Sequence, residues 1–265
     1  MSAQDESPAA IGIMGVAVTY GIGGAEPVTA VESIDLDLPG GSFVSLVGPS
    51  GCGKSTLLKV VADLMAPTRG RVTIAGAAPQ ELRRLGRIGL VFQQANLMPW
   101  LRVIDNVRLL RALVEGRRGV ARTAVGVAEL IELVGLAGFE RRFPHQLSGG
   151  MQQRAALARA LALDPAVLLM DEPFAALDEI TRDRMGFELM RIWHRHRKTV
   201  LFVTHSLAEA VFLSDRVVLM SARPGRVHRV FEVDLPRPRD RQTRLTDRFH
   251  DLVAQVNREL YKVMA

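Results

Sequence analysis

The chain has little of what marks a secreted or membrane-spanning protein. One cysteine, Cys52, occurs in 265 residues, so no intrachain disulfide can form, and a reducing compartment fits that usage. No apolar run reaches the roughly eighteen residues needed to cross a bilayer, so work at a membrane requires a partner that holds the protein there. The first ten residues, MSAQDESPAA, are acidic and polar, lack the order of a signal peptide, and read as a disordered tail over 1–10. Neither a repeat nor a low-complexity segment is present. The net charge is +6 and the pI about 10.2, but the arginines are scattered and form no polybasic block. That pattern favours a diffusely basic surface over a nucleic-acid footprint.

What is present suits a globular protein with a substantial core: 48% hydrophobic and 23% charged residues, enough for one large domain or a domain with an insert. Short apolar runs bounded by glycine or proline read as strands: IGIMGVAV, SFVSLVG, RVTIAG, RIGLVFQ, AVLLMDE, TVLFVTH, RVVLM and RVHRVFEV. Several are unbroken Val, Leu, Ile and Phe, as in strands buried on both faces of a sheet. Helical periods follow two of them, KSTLLKVVADLM and LAEAVFLSDR, and the alternation predicts an α/β domain with a mostly parallel sheet. From about residue 97 to 163 the pattern turns helical, in VIDNVRLLRALVEG, ARTAVGVAELIELVGL and MQQRAALARALAL. This is expected to be a helical subdomain inserted between two strands of a domain spanning 11–235. A short extension, 236–265, carries the turn region LPRPRDRQTR and an amphipathic helix, DRFHDLVAQVNRELYKVM.

The stretch GPSGCGKST, residues 48–56, follows an apolar strand and opens a helix, the context that the G-x-x-x-x-G-K-[ST] phosphate loop needs. Gly48, Gly51 and Gly53 permit backbone angles that turn successive N–H groups toward phosphate oxygens, with Pro49, Ser50, Cys52 and Thr56 completing the loop. The following helix adds its positive dipole end. Lys54 is expected to reach the β- and γ-phosphates and Ser55 to ligate Mg²⁺. Cys52 reads as a small tolerated side chain. Farther on, AVLLMDEP ends an apolar strand in Asp171 and Glu172. Beside a phosphate loop this pair divides the labour of phosphoryl transfer: Asp171 holds Mg²⁺ and Glu172 polarises the attacking water.

Together GPSGCGKST, VFQQ, LSGGMQQR, VLLMDEP, ALD and VTH occur in the order and approximate spacing of one family. Over nearly its whole length the chain resembles the ATP-binding subunit of an ABC transporter. The resemblance implies a P-loop NTPase, RecA-like core with an N-terminal antiparallel β portion and an inserted helical subdomain. It implies a twofold dimer in which Ser148, Gly149 and Gly150 of LSGG face the γ-phosphate bound by the neighbouring copy, at a helix N-terminus suited to an anion. Gln93 is implied as the residue sensing Mg²⁺ and the attacking water, with Gln94 a competing candidate. Asp178 is implied at the dimer contact and His205 near the γ-phosphate, where Ser206 and Glu209 are expected to form an S-x-x-E capping box. Tyr20 is the candidate for stacking on adenine, a core or surface tyrosine being the alternative.

NLMPWLRVIDNV, FPHQLSGGMQQR, LLMDEPFAALDEITR and SARPGRV look most like the importers of nitrate, sulfonates, taurine and related solutes. Asp63 stands where the family commonly has Gly, and Ser206 where Asp is frequent. The partners implied are a second copy, two transmembrane permease subunits and, indirectly, an extracytoplasmic solute-binding protein, with no nucleic acid. The implied location is the cytoplasmic face of the plasma membrane, peripherally held. Leu97, Met98, Trp100 and Leu101 are candidates for the permease groove, with internal packing the alternative for each. The competing function is a non-transport ATPase of the same superfamily acting on nucleic acid or ribosomes; the chain has neither the long coiled-coil insert nor the fused second domain of those members.

Overall fold

The computed structural model describes residues 10–21, 26–114 and 126–264; residues 1–9 of the expected tail lie outside them. The chain runs β1 (Ile11–Tyr20), β2 (Val28–Leu38), β3 (Phe43–Val47), α1 (Lys54–Val61), β4 (Arg69–Ile74), α2 (Pro79–Arg84) and β5 (Ile88–Val91). Next come α3 (Val103–Val114), α4 (Val127–Leu133) and α5 (Gly149–Leu161), then β6 (Val167–Asp171), α6 (Glu179–His196) and β7 (Thr199–Val203). It closes with α7 (Leu207–Leu213), β8 (Arg216–Met220), β9 (Val227–Glu232) and α8 (Asp247–Met264).

The larger sheet has the order β5-β6-β7-β3-β8-β9. Its neighbours are parallel except for the antiparallel edge pair β8 and β9. Both faces are covered, so successive side chains of a strand enter opposite cores. Phe43 and Val47 of β3 join one core, and Val44 and Leu46 the other; β7 splits Val200 and Phe202 from Leu201 and Val203 in the same way. This double burial is why these strands read as near-continuous apolar runs, with Ser45 the polar exception in β3. The first core is closed by α5, α6, α7 and α8, the last contributing Phe249, Leu252 and Val256. The second is closed by Leu57, Leu58 and Val61 of α1 and by a smaller antiparallel sheet, β2-β1-β4.

The helices α3, α4 and α5 lie in the chain between β5 and β6, two strands that pair directly in parallel. Residues 115, 116 and 121–125 of the two earlier helical stretches fall outside the described residues. Among the described residues from 97 to 163 no strand occurs.

Several local features differ from the sequence reading, helix α2 among them, and three of them have an evident local cause. The strand β2 went unexpected because its alternation changes phase. Val31 is buried, then Ile34, Leu36 and Leu38, and between them Ser33 takes φ 47° where the pairing with β1 shifts register. A bulge of this kind hides a period of two. Helix α6 also went unexpected, although Asp178 marks its start by accepting a hydrogen bond from Thr181 N at 2.9 Å as an N-cap. Finally, α1 stops at Val61 rather than running to 65. Asp63 sits just beyond it at φ 56°, the left-handed position that favours glycine after a helix. An ion pair with Arg83 at 2.7 Å holds the aspartate there.

The C-terminal segment shares the main core and is fastened by arginines. Arg239 donates to the carbonyls of Val211, Phe212 and Ser214, and Arg237 to that of Leu213 at 2.8 Å. Those carbonyls end α7 and have no partner within it. The Arg237 guanidinium also lies 4.2 Å from the centre of the Trp193 ring.

Candidate functional site

The parallel strands deliver the chemistry to one edge. Val203 of β7 pairs with Leu46 on one side and with Asp171 on the other. Beyond that row the chain continues into the phosphate loop after β3, into Glu172 after β6 and into His205 after β7. Ligands of open α/β sheets bind at this carboxyl edge.

Within the loop, Lys54 is buried, and its ammonium donates to the carbonyls of Gly48 at 2.9 Å and Pro49 at 3.0 Å. Gly53 caps α1 at φ 90°, and a Cβ there would lie 2.5 Å from Val31 Cγ2, so both conformation and space demand glycine. Cys52 is fully buried. Burial pushes its thiol up, opposed by the Lys54 charge, which makes it an inert packing residue. The Ser55 hydroxyl donates to Asp171 Oδ1 at 2.8 Å. Two residues 116 positions apart thus present hard oxygens at one point, the donor type that suits Mg²⁺. Tyr20 is 43% exposed, and its hydroxyl lies 3.1 Å from that of Thr56, which sets the ring at the loop's flank rather than in a core.

Glu172 follows the last residue of β6 with φ 47°, a conformation costing about 1–3 kcal/mol in a non-glycine residue. Its N–H is held by Val203 O at 3.0 Å. The strained turn directs the carboxylate to His205, whose Nε2 lies 2.6 Å from Glu172 Oε1. The expected capping box is only half formed. Ser206 Oγ does accept from Glu209 N at 3.3 Å. The Glu209 carboxylate does not return to Ser206 N; it turns inward and accepts from the Thr204 hydroxyl.

The glycine pair of LSGG lies elsewhere. Ser148 is the exposed N-cap of α5, accepting from Met151 N at 3.3 Å. A Cβ on Gly150 would lie 3.0 Å from Thr181 Cγ2, and one on Gly149 would lie 3.9 Å from Leu177 Cδ2. Among the described residues, no hydrogen bond joins residues 148–150 to the loop 48–56. Asp178 is exposed and is used as the cap of α6; the Thr181 N–H holds its carboxyl below the usual range. Gln93 is exposed in the loop after β5, as is Gln94. Farther along that loop Leu97 joins the main core, whereas Trp100 is 70% exposed.

The family model for ABC transporters matches residues 31–175. The chain belongs to the ABC transporter family. An uncharacterized ABC transporter ATP-binding protein of Methanocaldococcus jannaschii is 49% identical over 219 residues, 81% of this chain and 79% of that protein. The aliphatic sulfonates import ATP-binding protein of Bacillus cereus is 44% identical over 214 residues, 81% of this chain and 82% of that protein. A bacterial ABC transporter cassette solved as a dimer superposes with a TM-score of 0.71 at 35% identity, over 84% of this chain and 98% of that one. The same cassette in a post-hydrolysis state bound to ADP and Pi gives 0.70 at 34% identity, with the same coverage. This protein is therefore an ABC transporter ATP-binding subunit and an ATPase.

Several residues that support the ABC site were not singled out from the sequence. Gln153 donates to Phe92 O at 2.8 Å, and Arg159 donates to Ala95 O and Asn96 O, each at 2.7 Å. Helix α5 thereby carries the loop that bears Gln93. Arg182 donates to Leu177 O at 3.0 Å and fixes the turn before Asp178. Gly225 packs on the phosphate loop itself, where a Cβ would lie 2.0 Å from Cys52 O. None of these contacts leaves a local signal in the sequence; they arise from the fold. Among the described residues, no helix is long and apolar enough to cross a membrane.

Proposed function

We propose that this ABC ATPase drives uptake of a small solute of the nitrate, sulfonate or taurine class through a separate permease. Two copies bind ATP between them. In each site the loop 48–56 cradles the phosphates, Lys54 leaves its loop carbonyls for the β- and γ-phosphate oxygens, and Tyr20 stacks on adenine. Ser55, Asp171 and Gln93 would hold Mg²⁺, which when bound would neutralise charge on the phosphates. Glu172 takes a proton from water as its oxygen bonds to the γ-phosphorus and the bond to the β,γ-bridging oxygen breaks. His205 orients Glu172 and the γ-phosphate. Ser148, Gly149 and Gly150 of the partner copy close the site through the start of α5, and Asp178 lies at the dimer contact. The protein is held at the cytoplasmic face of the membrane by its permease, with Trp100 the exposed apolar anchor.

The observation that carries this reading is the row of strand ends. It sets the Ser55 and Asp171 oxygens 2.8 Å apart and His205 2.6 Å from Glu172 on one edge of one sheet. Import and the solute class rest on the likeness to the sulfonates import ATP-binding protein. Replacing Glu172 by Gln tests the catalytic reading: turnover is lost while ATP-induced pairing persists. Normal hydrolysis by that variant, or a strictly monomeric ATP-loaded protein in the presence of its permease, would overturn it. Ligand identification on the cognate solute-binding protein tests the solute class, and co-purification with nucleic acid in place of a polytopic membrane protein would reverse the assignment to transport.

A further inference from the structure

The corner that carries His205 is gripped from beneath by a buried carboxyl with no place in the scheme above. Thr204 and Glu209 are each only 5% exposed. Glu209 holds the corner twice: its N–H donates to Ser206 Oγ at 3.3 Å, and its Oε2 accepts from the Thr204 hydroxyl. The same Thr204 oxygen accepts from Ser206 N at 3.0 Å, and Thr204 N donates to Leu46 O at 3.2 Å. His205 is the one residue between these clamped neighbours, so its backbone has little freedom.

Behind it lies a cavity of about 220 Å³ bordered by Glu172, Arg182, Thr204, His205 and Glu209. Glu209 Oε1 is buried without a hydrogen-bond partner. A residue serving only to fill this space would carry no carboxyl, since burying one with an oxygen unpaired is costly. Groups whose environment opposes their ionisation gather where function needs them.

We propose that Glu209, acting through the Thr204 hydroxyl, is a positioning residue for the ATPase reaction, holding the corner that sets the His205 imidazole against Glu172. This rests on the reading of Glu172 and His205 as the hydrolytic pair. The charged groups around Glu209 are Arg182 and Asp183 of α6 and Arg244 of the C-terminal segment, with Glu172 and His205 across the cavity. Arg244 is itself ion-paired to Asp183, so the C-terminal segment reaches the corner from behind.

The test is steady-state ATPase activity of the full chain in Thr204→Val, Thr204→Ser and Glu209→Ala, beside His205→Ala and Glu172→Gln. Small misplacements of a reacting group cost up to about a hundredfold, so kcat of Thr204→Val and Glu209→Ala is expected to fall by about ten- to a hundredfold. KM for ATP stays within about twofold, the mark of an interaction that acts in the transition state. Thr204→Ser, which keeps the hydroxyl, restores kcat. The His205 imidazole resonances move in Thr204→Val and Glu209→Ala but not in Thr204→Ser, and this readout stands even if one variant is too unstable to assay for turnover. Wild-type kcat and unmoved imidazole resonances in Thr204→Val and Glu209→Ala, with only a lower melting temperature, would reduce the pair to packing and overturn the proposal. Full turnover by His205→Ala and Glu172→Gln would instead sink the underlying reading of the site.

Discussion

Replacing Glu209 by Gln should change how stability depends on pH. Burial raises the Glu209 carboxyl from 4.5 to about 7, against the opposing pull of the Thr204 hydroxyl, Arg182 and Arg244. The sign follows from linkage. The folded protein holds this proton more tightly than the unfolded chain, so the stability it contributes is full below pH 4.5 and is lost as pH rises through about 7. A shift of this size corresponds to about 3 kcal/mol, most of it lost between about pH 5 and pH 8. Glutamine does not titrate and loses none of it. Whatever constant penalty the amide brings, the difference in stability between Glu209→Gln and wild type should therefore move by about 2–3 kcal/mol in favour of the variant over that range. For a protein of this size that is a relative gain of about 4–5 °C in melting temperature. The assay is thermal unfolding of both proteins at intervals from about pH 5 to pH 8. Parallel curves for the two proteins would refute the claim that Glu209 titrates in this range.

Other expectations concern the loop and the caps. Gly225→Ala would drive a Cβ into Cys52 O; it should weaken ATP binding in a titration although Gly225 is outside the phosphate-loop motif, and unchanged affinity would count against that contact as a support. Asp178→Ala removes the α6 cap and should lower the midpoint of chemical denaturation. Asp178→Ser should recover that stability without recovering ATP-induced pairing, which separates the cap from the proposed dimer contact. Arg159→Met strips two carbonyls of their donor and should cost about 1–3 kcal/mol; a stability equal to wild type would contradict the fastening of α5 to the loop.

What was legible in the sequence was local. GPSGCGKST declares a loop because strand, glycines, lysine and helix are consecutive, and the double burial of β3, β6 and β7 shows in their nearly continuous apolar runs, broken in β3 by Ser45. The two departures from the family pattern also have local reasons: Asp63 occupies a left-handed position where a salt bridge secures it, and Ser206 caps α7. What stayed hidden was set by tertiary contact or by a change of phase. The bulge at Ser33 broke the alternation of β2. Asp178 serves two motifs at once, the ALD pattern and the N-cap of α6, and the first masks the second in the sequence. The spacing of Ser206 and Glu209 suggested a box, but Thr204 on the preceding strand competes for the carboxylate and takes it. The approach of Gly225 to Cys52 joins residues far apart in the chain, and no window of sequence reports it.

The fastening of α5 has a mechanical consequence. At 13 residues the helix is about 20 Å long, and Gln153 and Arg159 hold the Gln93 loop along its middle and far half. A tilt of about 10° about one end would move the other by about 3 Å. The loop would travel with it, so displacement at Ser148 and displacement at Gln93 are two readings of the same lever.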